Sequence, residues 1–337
     1  MKATLLYGEK DVRFEDTPDP KIQKPTDAIL RLAASCVCGS DLWPFRGYWP
    51  VNEPMPMGHE YVGFVEEVGS EVKNLRKGQF VIGTFMASDN TCPHCKHGYP
   101  SSCENVESVT GAQAPYMRVP LADGTLFPVA ETPDASMLPS MLAVSDVFGT
   151  GWYAADAAQV KPGNTVVVVG DGAVGLCGVL SAKLMGAERI IAMSRHASRQ
   201  TLAKAFGATD IVEERGDEGV ARVQEMTKGI GADSVLECVG HDQSIQQAVG
   251  CTRPGGHMSY VGVPHGVTLD GQKLFFNQIN IFGGPAPVRH YMPELVKHVQ
   301  EGADPGKVFD LRLPLADVAK GYAAMDERKA IKALLEV

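Results

Sequence analysis

The segment Thr165–Gly175 constrains this chain more than any other. Thr165-Val166-Val167-Val168-Val169 is a β-branched run that leads directly into Gly170-Asp171-Gly172-Ala173-Val174-Gly175 and then into an apolar helical stretch. Branched side chains favour an extended backbone. A G-x-G-x-x-G turn between strand and helix lets the backbone approach a pyrophosphate, which the free N–H groups and dipole of the helix N-terminus attract. A Gly-rich turn in any doubly wound fold has the same composition, so the flanking strand and helix carry the argument. Gly170, Gly172, Ala173, Val174 and Gly175 are therefore expected to face a dinucleotide.

Around this loop the hydrophobic pattern alternates between strand and helix. Strands are expected at 165–169, 189–193, 234–238, 257–261 and 279–282, with helices at 174–185, 198–206, 217–227 and 242–249. Alternating units of this kind build a parallel sheet covered by helices. The first 145 or so residues differ. They are punctuated by Gly and Pro, and runs such as 28–33 and 61–68 read as strands bounded by turns. The tail from about 285 ends in a helical segment, 315–325, and a strand-like piece, 331–335. The expected division is a mostly β domain from 1–147 and 285–337, and a doubly wound α/β domain from 148–284.

Bulk properties exclude other classes. There are 31 Lys+Arg against 40 Asp+Glu, a formal net charge of −9, and no basic run, so a nucleic-acid partner is not expected. The first ten residues lack the apolar core of a signal peptide. The most apolar stretch, 166–185, is broken by Asp171, Lys183 and several glycines, which fits strand, turn and helix rather than a membrane span. Eight cysteines in a large chain of this kind point to thiols or metal ligands, and the cytoplasm is the expected location.

Two groups of residues have metal-ligand chemistry. Cys38-Gly39-Ser40-Asp41 lies about twenty residues before Gly58-His59-Glu60-Tyr61-Val62-Gly63. A second motif, Asp89-Asn90-Thr91-Cys92-Pro93-His94-Cys95, continues through His97 to Cys103. A lone Cys or His is more often a packing residue. Taken with Gly69 and the dinucleotide loop, however, these motifs resemble the zinc-containing medium-chain dehydrogenase/reductase (alcohol dehydrogenase) family over essentially the whole chain.

That resemblance implies a Rossmann cofactor domain and a mostly β, GroES-like catalytic domain. It implies a catalytic zinc held by Cys38, His59 and a third ligand just before the cofactor domain, where Asp146 stands in Ser145-Asp146-Val147. Thiolate, imidazole and carboxylate give a neutral complex with an open position. The alternative for Asp146 is a helix cap. Asp146 and Thr150 are four residues apart and would share a helical face, Thr150 pointing toward the nicotinamide. Glu60 is the neighbouring carboxylate able to approach the metal, and Asp41 orients the His ligand. Asp89, Cys92, Cys95 and Cys103 match the family's structural-zinc lobe. Asp89 departs from the usual sulfur ligand there, His94 or His97 being substitutes, and a metal-free disulfide is the bland alternative.

The resemblance also implies the reaction: hydride transfer between an alcohol and a nicotinamide, with zinc as Lewis acid. Ser40 matches the hydroxyl that moves the alcohol proton. Trp43 stands where many members have a relay His, and Trp43 and Phe85 are expected to line an apolar substrate pocket. Val174 would back the nicotinamide, and the backbone at Val261 and Gly262 would hold its carboxamide. At the end of the strand 189–193 the sequence runs Ser194-Arg195-His196-Ala197-Ser198-Arg199, without the acidic residue that grips an NAD ribose. Ser194, Arg195 and Arg199 therefore favour NADP, with NAD as the alternative. The competing functions are a polyol or sugar-alcohol dehydrogenase of the same family and a non-catalytic NADP-binding redox sensor. A homo-oligomer, tetramer or dimer, is expected.

Overall fold

The structure is a computed structural model that describes residues 1–337. The chain divides into two compact units, Met1–Asp146 with Pro287–Val337, and Val147–Ala286.

The first unit is built on a seven-stranded sheet. Its central strand, Ala28–Cys36, pairs antiparallel with Tyr61–Val68, Tyr116–Val119 and Ala333–Glu336. Leu30 and Leu32 point into a core with Tyr61, Val65, Val81, Met117 and Leu126, while Arg31 is exposed between them. This is the period-two pattern of a half-buried strand. Gly63 lies opposite Leu32, and a Cβ there would sit 2.4 Å from the Arg31 carbonyl oxygen, so only glycine fits.

The register positions the site. Ser35 pairs with Tyr61, so the chain leaves one strand just before Cys38 and enters its neighbour just after Glu60, at the same end of the sheet. Leu334 pairs with Cys36, which brings Lys332 to that end as well. In the tail the last helix is Val318–Asp326, preceded by a single 3-10 turn, Leu315–Asp317. A longer helix, Val288–Gln300, fills a segment whose sequence had no assigned element; Met292, Leu295, Val296 and Val299 form its buried stripe.

The second unit contains six strands: β1 Thr165–Val169, β2 Arg189–Met193, β3 Asp210–Val212, β4 Ala232–Glu237, β5 Thr252–Tyr260 and β6 Asn280–Gly283. Its helices are α1 Val147–Ala157, α2 Ala173–Leu184, α3 Ala197–Phe206, α4 Gly216–Met226, α5 Asp242–Cys251 and α6 Gly271–Asn277. All pairings are parallel in the order β3-β2-β1-β4-β5-β6, the Rossmann arrangement, which reverses direction beside β1. Val167, Val169, Ile191, Val235 and Met258 fill the core against Ile245 of α5.

Two strands differ from expectation. β3 was not anticipated, because only Val212 of its three residues is buried. β5 begins five residues earlier than expected, at Thr252, but Pro254-Gly255-Gly256 forms an unpaired bulge (Gly255 φ +71°) between Thr252, opposite Ala232, and His257, opposite Ser234.

Candidate functional site

The first unit carries two groups of metal-ligating side chains. Cys38, His59, Glu60 and Asp146 place one ligand atom each within 4.8 Å of all the others. Cys38 Sγ is 3.7 Å and His59 Nε2 is 3.4 Å from Asp146 Oδ2. Tetrahedral zinc bonds of the usual lengths separate sulfur from oxygen by about 3.6 Å and nitrogen from oxygen by about 3.4 Å. The residues fit the ion.

His59 is fixed from behind. Its Nδ1 lies 3.3 Å from Asp41 Oδ1, while Asp41 Oδ2 accepts from the Cys38 amide at 2.9 Å and from Gln113 Nε2 at 3.3 Å. Gln113 is itself held by the buried Tyr322 hydroxyl at 3.2 Å. A carboxylate on one nitrogen leaves the other aimed at the metal position. Burial disfavours a charged imidazole, but Asp41, Cys38 and Asp146 outweigh it and raise the His59 pKa well above the ordinary value.

Glu60 is fully buried, with Oε2 lacking any hydrogen-bond partner. Its other oxygen accepts from Lys332 Nζ at 2.6 Å, and Lys332 also donates to the Val37 carbonyl at 3.2 Å. Burial works against the Lys332 ammonium, yet the acidic side chains packed around it, Cys36, Glu60 and Cys38, hold its pKa well above the usual lysine value. Lys332 is a site residue that the sequence reading missed. The signal was a lone lysine inside the otherwise apolar run 330–335.

Ser40 Oγ lies 3.4 Å from His59 Nε2, and the Phe85 ring packs edge-on to His59 with centroids 6.3 Å apart. Trp43 is half-buried and its ring lies 5.2 Å from that of Tyr48. Asp146 sits in the two-residue turn between the helix Leu138–Val144 and α1. It is therefore not within one continuous helix with Thr150, and the shared-face expectation does not follow. The break in the helix turns Asp146 toward Cys38 and His59.

The second group is Asp89, Cys92, Cys95 and Cys103. Cys92 Sγ lies 3.5 Å from Cys95 Sγ and 3.9 Å from Cys103 Sγ, and Cys95 Sγ is 3.7 Å from Asp89 Oδ1. A disulfide would need about 2.05 Å, whereas two thiolates on one zinc stand about 3.8 Å apart. All eight cysteines are free, and the three of this lobe stand at the separation of shared metal ligands rather than of a disulfide. His94 and His97 are exposed and outside the group, in which Asp89 supplies the fourth atom able to ligate a metal. Burial alone would raise the Asp89 carboxyl; hydrogen bonds from Thr91, Asn105 and Cys92 hold it well below the ordinary range.

In the second unit the loops follow the carboxyl ends of the strands. Gly170 has φ +114°, and a Cβ on Gly175 would lie 2.0 Å from the Gly170 carbonyl. Gly172 heads α2 without a side-chain cap and has open space where a Cβ would be. Backbone donors and room for a phosphate coincide there, so the loop fits a dinucleotide. Ala173 and Val174 open α2, and Val261 and Gly262 follow β5, their amides turned back on the Glu237 carbonyl at 2.9 and 3.4 Å. Thr150 is buried in α1.

One premise about β2 is corrected. Ser194 does not lack a neighbouring carboxylate: its hydroxyl donates to Asp171 Oδ2 at 2.7 Å, and Arg199 Nη1 lies 3.2 Å from Asp171 Oδ1. The carboxylate comes from the Gly loop, so the local sequence after β2 does not reveal it. Arg195 is exposed.

Comparison with known proteins agrees with this architecture. Residues 24–131 match the alcohol dehydrogenase GroES-like domain and residues 173–301 the zinc-binding dehydrogenase domain. Zinc-type alcohol dehydrogenase B of Aspergillus flavus is 34% identical over 100% of this chain and 81% of its own. A sorbitol dehydrogenase of Bacillus subtilis is 29% identical over 84% of this chain and 81% of its own. The solved alcohol dehydrogenase TADH from Thermus sp. ATN1 superposes with a TM-score of 0.92 at 31% identity, covering 100% of both chains. The chain belongs to the zinc-containing medium-chain dehydrogenase/reductase family. That membership implies an oxidoreductase that uses zinc and a nicotinamide cofactor. No helix is long and apolar enough to cross a membrane.

Proposed function

We propose that this protein is a zinc-dependent alcohol dehydrogenase/carbonyl reductase that exchanges a hydride between a primary or secondary alcohol, or the matching aldehyde or ketone, and NADP. The observation that carries the reading is the buried convergence of Cys38, His59 and Asp146 beside Glu60 Oε2, which has no hydrogen-bond partner. Cys38, His59 and Asp146 are the ligands of the catalytic zinc, and Asp89, Cys92, Cys95 and Cys103 those of a structural one. The first unit is the catalytic domain and the second the cofactor domain.

When bound, the zinc polarises the substrate oxygen and the nicotinamide accepts or supplies the hydride. The protein's own groups prepare this. Asp41 and Gln113 fix the His59 ring, and Lys332 holds Glu60 close to the ligands without closing the site. The Ser40 hydroxyl, beside His59 Nε2, relays the proton of the substrate alcohol, accepting it as it passes its own to a cofactor ribose hydroxyl or water, and runs the same exchange in reverse for the carbonyl. Phe85 supplies an apolar wall next to that oxygen and favours apolar substrates. The Gly170–Gly175 loop binds the pyrophosphate, and exposed Arg195 favours the 2′-phosphate of NADP. The exposed rings of Phe275, Phe276 and Phe282 beside the unpaired edge of β6 support a homo-oligomer.

The test is a panel of alcohols, aldehydes, ketones and polyols with both cofactors, run on wild type and Asp146→Asn. Turnover with apolar alcohols, lost with one zinc in Asp146→Asn, supports the reading. Undiminished turnover in that variant would return Asp146 to a structural role. A preference for polyols, which the sorbitol dehydrogenase likeness raises, would replace the substrate class.

A further inference from the structure

The Gly-rich loop contains an ionisable residue that a pyrophosphate-binding turn does not require. Asp171 stands between Gly170 and Gly172, where a carboxylate beside a phosphate is unfavourable unless something draws it aside. Two groups from the neighbouring β-α unit do so. Ser194 Oγ, at the end of β2, donates to Oδ2 at 2.7 Å, and Arg199 Nη1, from the first turn of α3, lies 3.2 Å from Oδ1 and 3.3 Å from the Asp171 carbonyl oxygen. The pair is largely withdrawn from water: the Arg199 and Asp171 side chains are 12% and 11% exposed.

The carboxylate therefore stands where dinucleotide folds usually place an acidic residue, at the end of the second strand, but it arrives from the first loop. It engages the same hydroxyl and guanidinium that a ribose 2′-phosphate would need. We infer that Asp171 is the residue that sets cofactor discrimination: it opposes the 2′-phosphate of NADP by occupying Ser194 and Arg199, and offers an acceptor to the free ribose diol of NAD. The inference rests on the reading that the adenosine ribose lies at the end of β2. It makes the preference a contest between exposed Arg195, which favours phosphate, and the Asp171–Arg199 pair, which resists it. Asp171→Asn keeps the shape and removes the charge, freeing Arg199 for a phosphate.

The experiment is calorimetric binding of two adenylate fragments, 2′,5′-ADP and 5′-AMP, to the zinc-loaded full chain, with NADPH and NADH affinities from nicotinamide fluorescence alongside. Asp171→Asn and, as a second variant with a small neutral side chain, Asp171→Ser are each expected to tighten 2′,5′-ADP by about tenfold, the scale of one charge contact. Both should leave 5′-AMP unchanged or weaker. Arg195→Ala is expected to weaken 2′,5′-ADP alone. If Arg195→Ala weakens 2′,5′-ADP but neither Asp171 variant tightens it, the inference is wrong and the ribose assignment stands. If all the variants leave both fragments unaffected, the ribose lies elsewhere and the underlying reading falls with it.

Discussion

Replacing Lys332 with Met should cost more than any surface change in this protein. The Lys332 and Glu60 side chains are 1% and 0% exposed and their charges meet at 2.6 Å. At the effective dielectric of about 20 that suits buried pairs, the gross attraction at that distance is about 6 kcal/mol. Much of it offsets the desolvation of both ions. Methionine fills the space of the lysine stem but leaves the Glu60 carboxylate buried without a counter-charge. Breaking such a pair typically destabilises by about 3–5 kcal/mol. The Val37 carbonyl loses its 3.2 Å donor as well. Urea unfolding of zinc-loaded protein, followed by circular dichroism, measures the loss. The decisive control is Glu60→Gln combined with Lys332→Met, which removes both charges and should recover more than half of it. A Lys332→Met protein within about 0.5 kcal/mol of wild type, the range of ordinary surface substitutions, would refute the reasoning. So would a double variant no more stable than the single one.

Two further outcomes are expected. Elemental analysis should find about two zinc ions per chain, because each ligand set supplies one site; Cys38→Ser should remove one and Cys95→Ser the other, and a single zinc lost only in Cys38→Ser would mean that the Asp89 lobe is metal-free. Buried Asp27 accepts from the Lys24 and Gln23 amides and from Arg118 at 2.8, 3.0 and 2.9 Å, contacts that outweigh burial and lower its pKa. A lowered carboxyl contributes stability above the unfolded value of about 3.9 and loses it as pH falls through the folded one. Asp27→Asn should therefore cost about 1.5–3 kcal/mol near neutrality, with a gap to wild type that closes in acid; a gap unchanged at low pH would show that charge is not its source.

The parts of the fold legible in the sequence are those whose signal is local. β1, the Gly loop and α2 could be read because branched residues, glycines and an apolar helix follow one another without interruption. The helix Val288–Gln300 went unassigned although its stripe at 292, 295, 296 and 299 is regular, because Pro293 falls within its second turn and reads as a breaker. β3 carries too few buried side chains to announce itself. The Pro-Gly-Gly of β5 reads as a turn, and it does bulge out, with Gly255 at φ +71°; only Thr252 on one side of it and His257–Tyr260 on the other pair in the ladder.

The two metal clusters separate along the same line. Asp89, Cys92, Cys95 and Cys103 lie within fifteen residues of one loop, so the likeness to the family's structural-zinc lobe could be read from one short stretch, and the structure gathers Asp89 with the three cysteines while the two histidines stay exposed. Cys38, His59 and Asp146 are scattered over more than a hundred residues and meet only because Ala28–Cys36 and Tyr61–Val68 pair in one register while a helix breaks at Ser145-Asp146. Their assignment from sequence needed a family likeness, since no spacing rule links them. Lys332 and Asp171 lay beyond even that. Each is defined by a charge partner distant in sequence, 272 residues from Glu60 for one and 23 from Ser194 for the other. A motif records which residues bind a cofactor or metal. It does not record which charges surround them, and in both places those charges are what the three-dimensional structure adds to the chemistry.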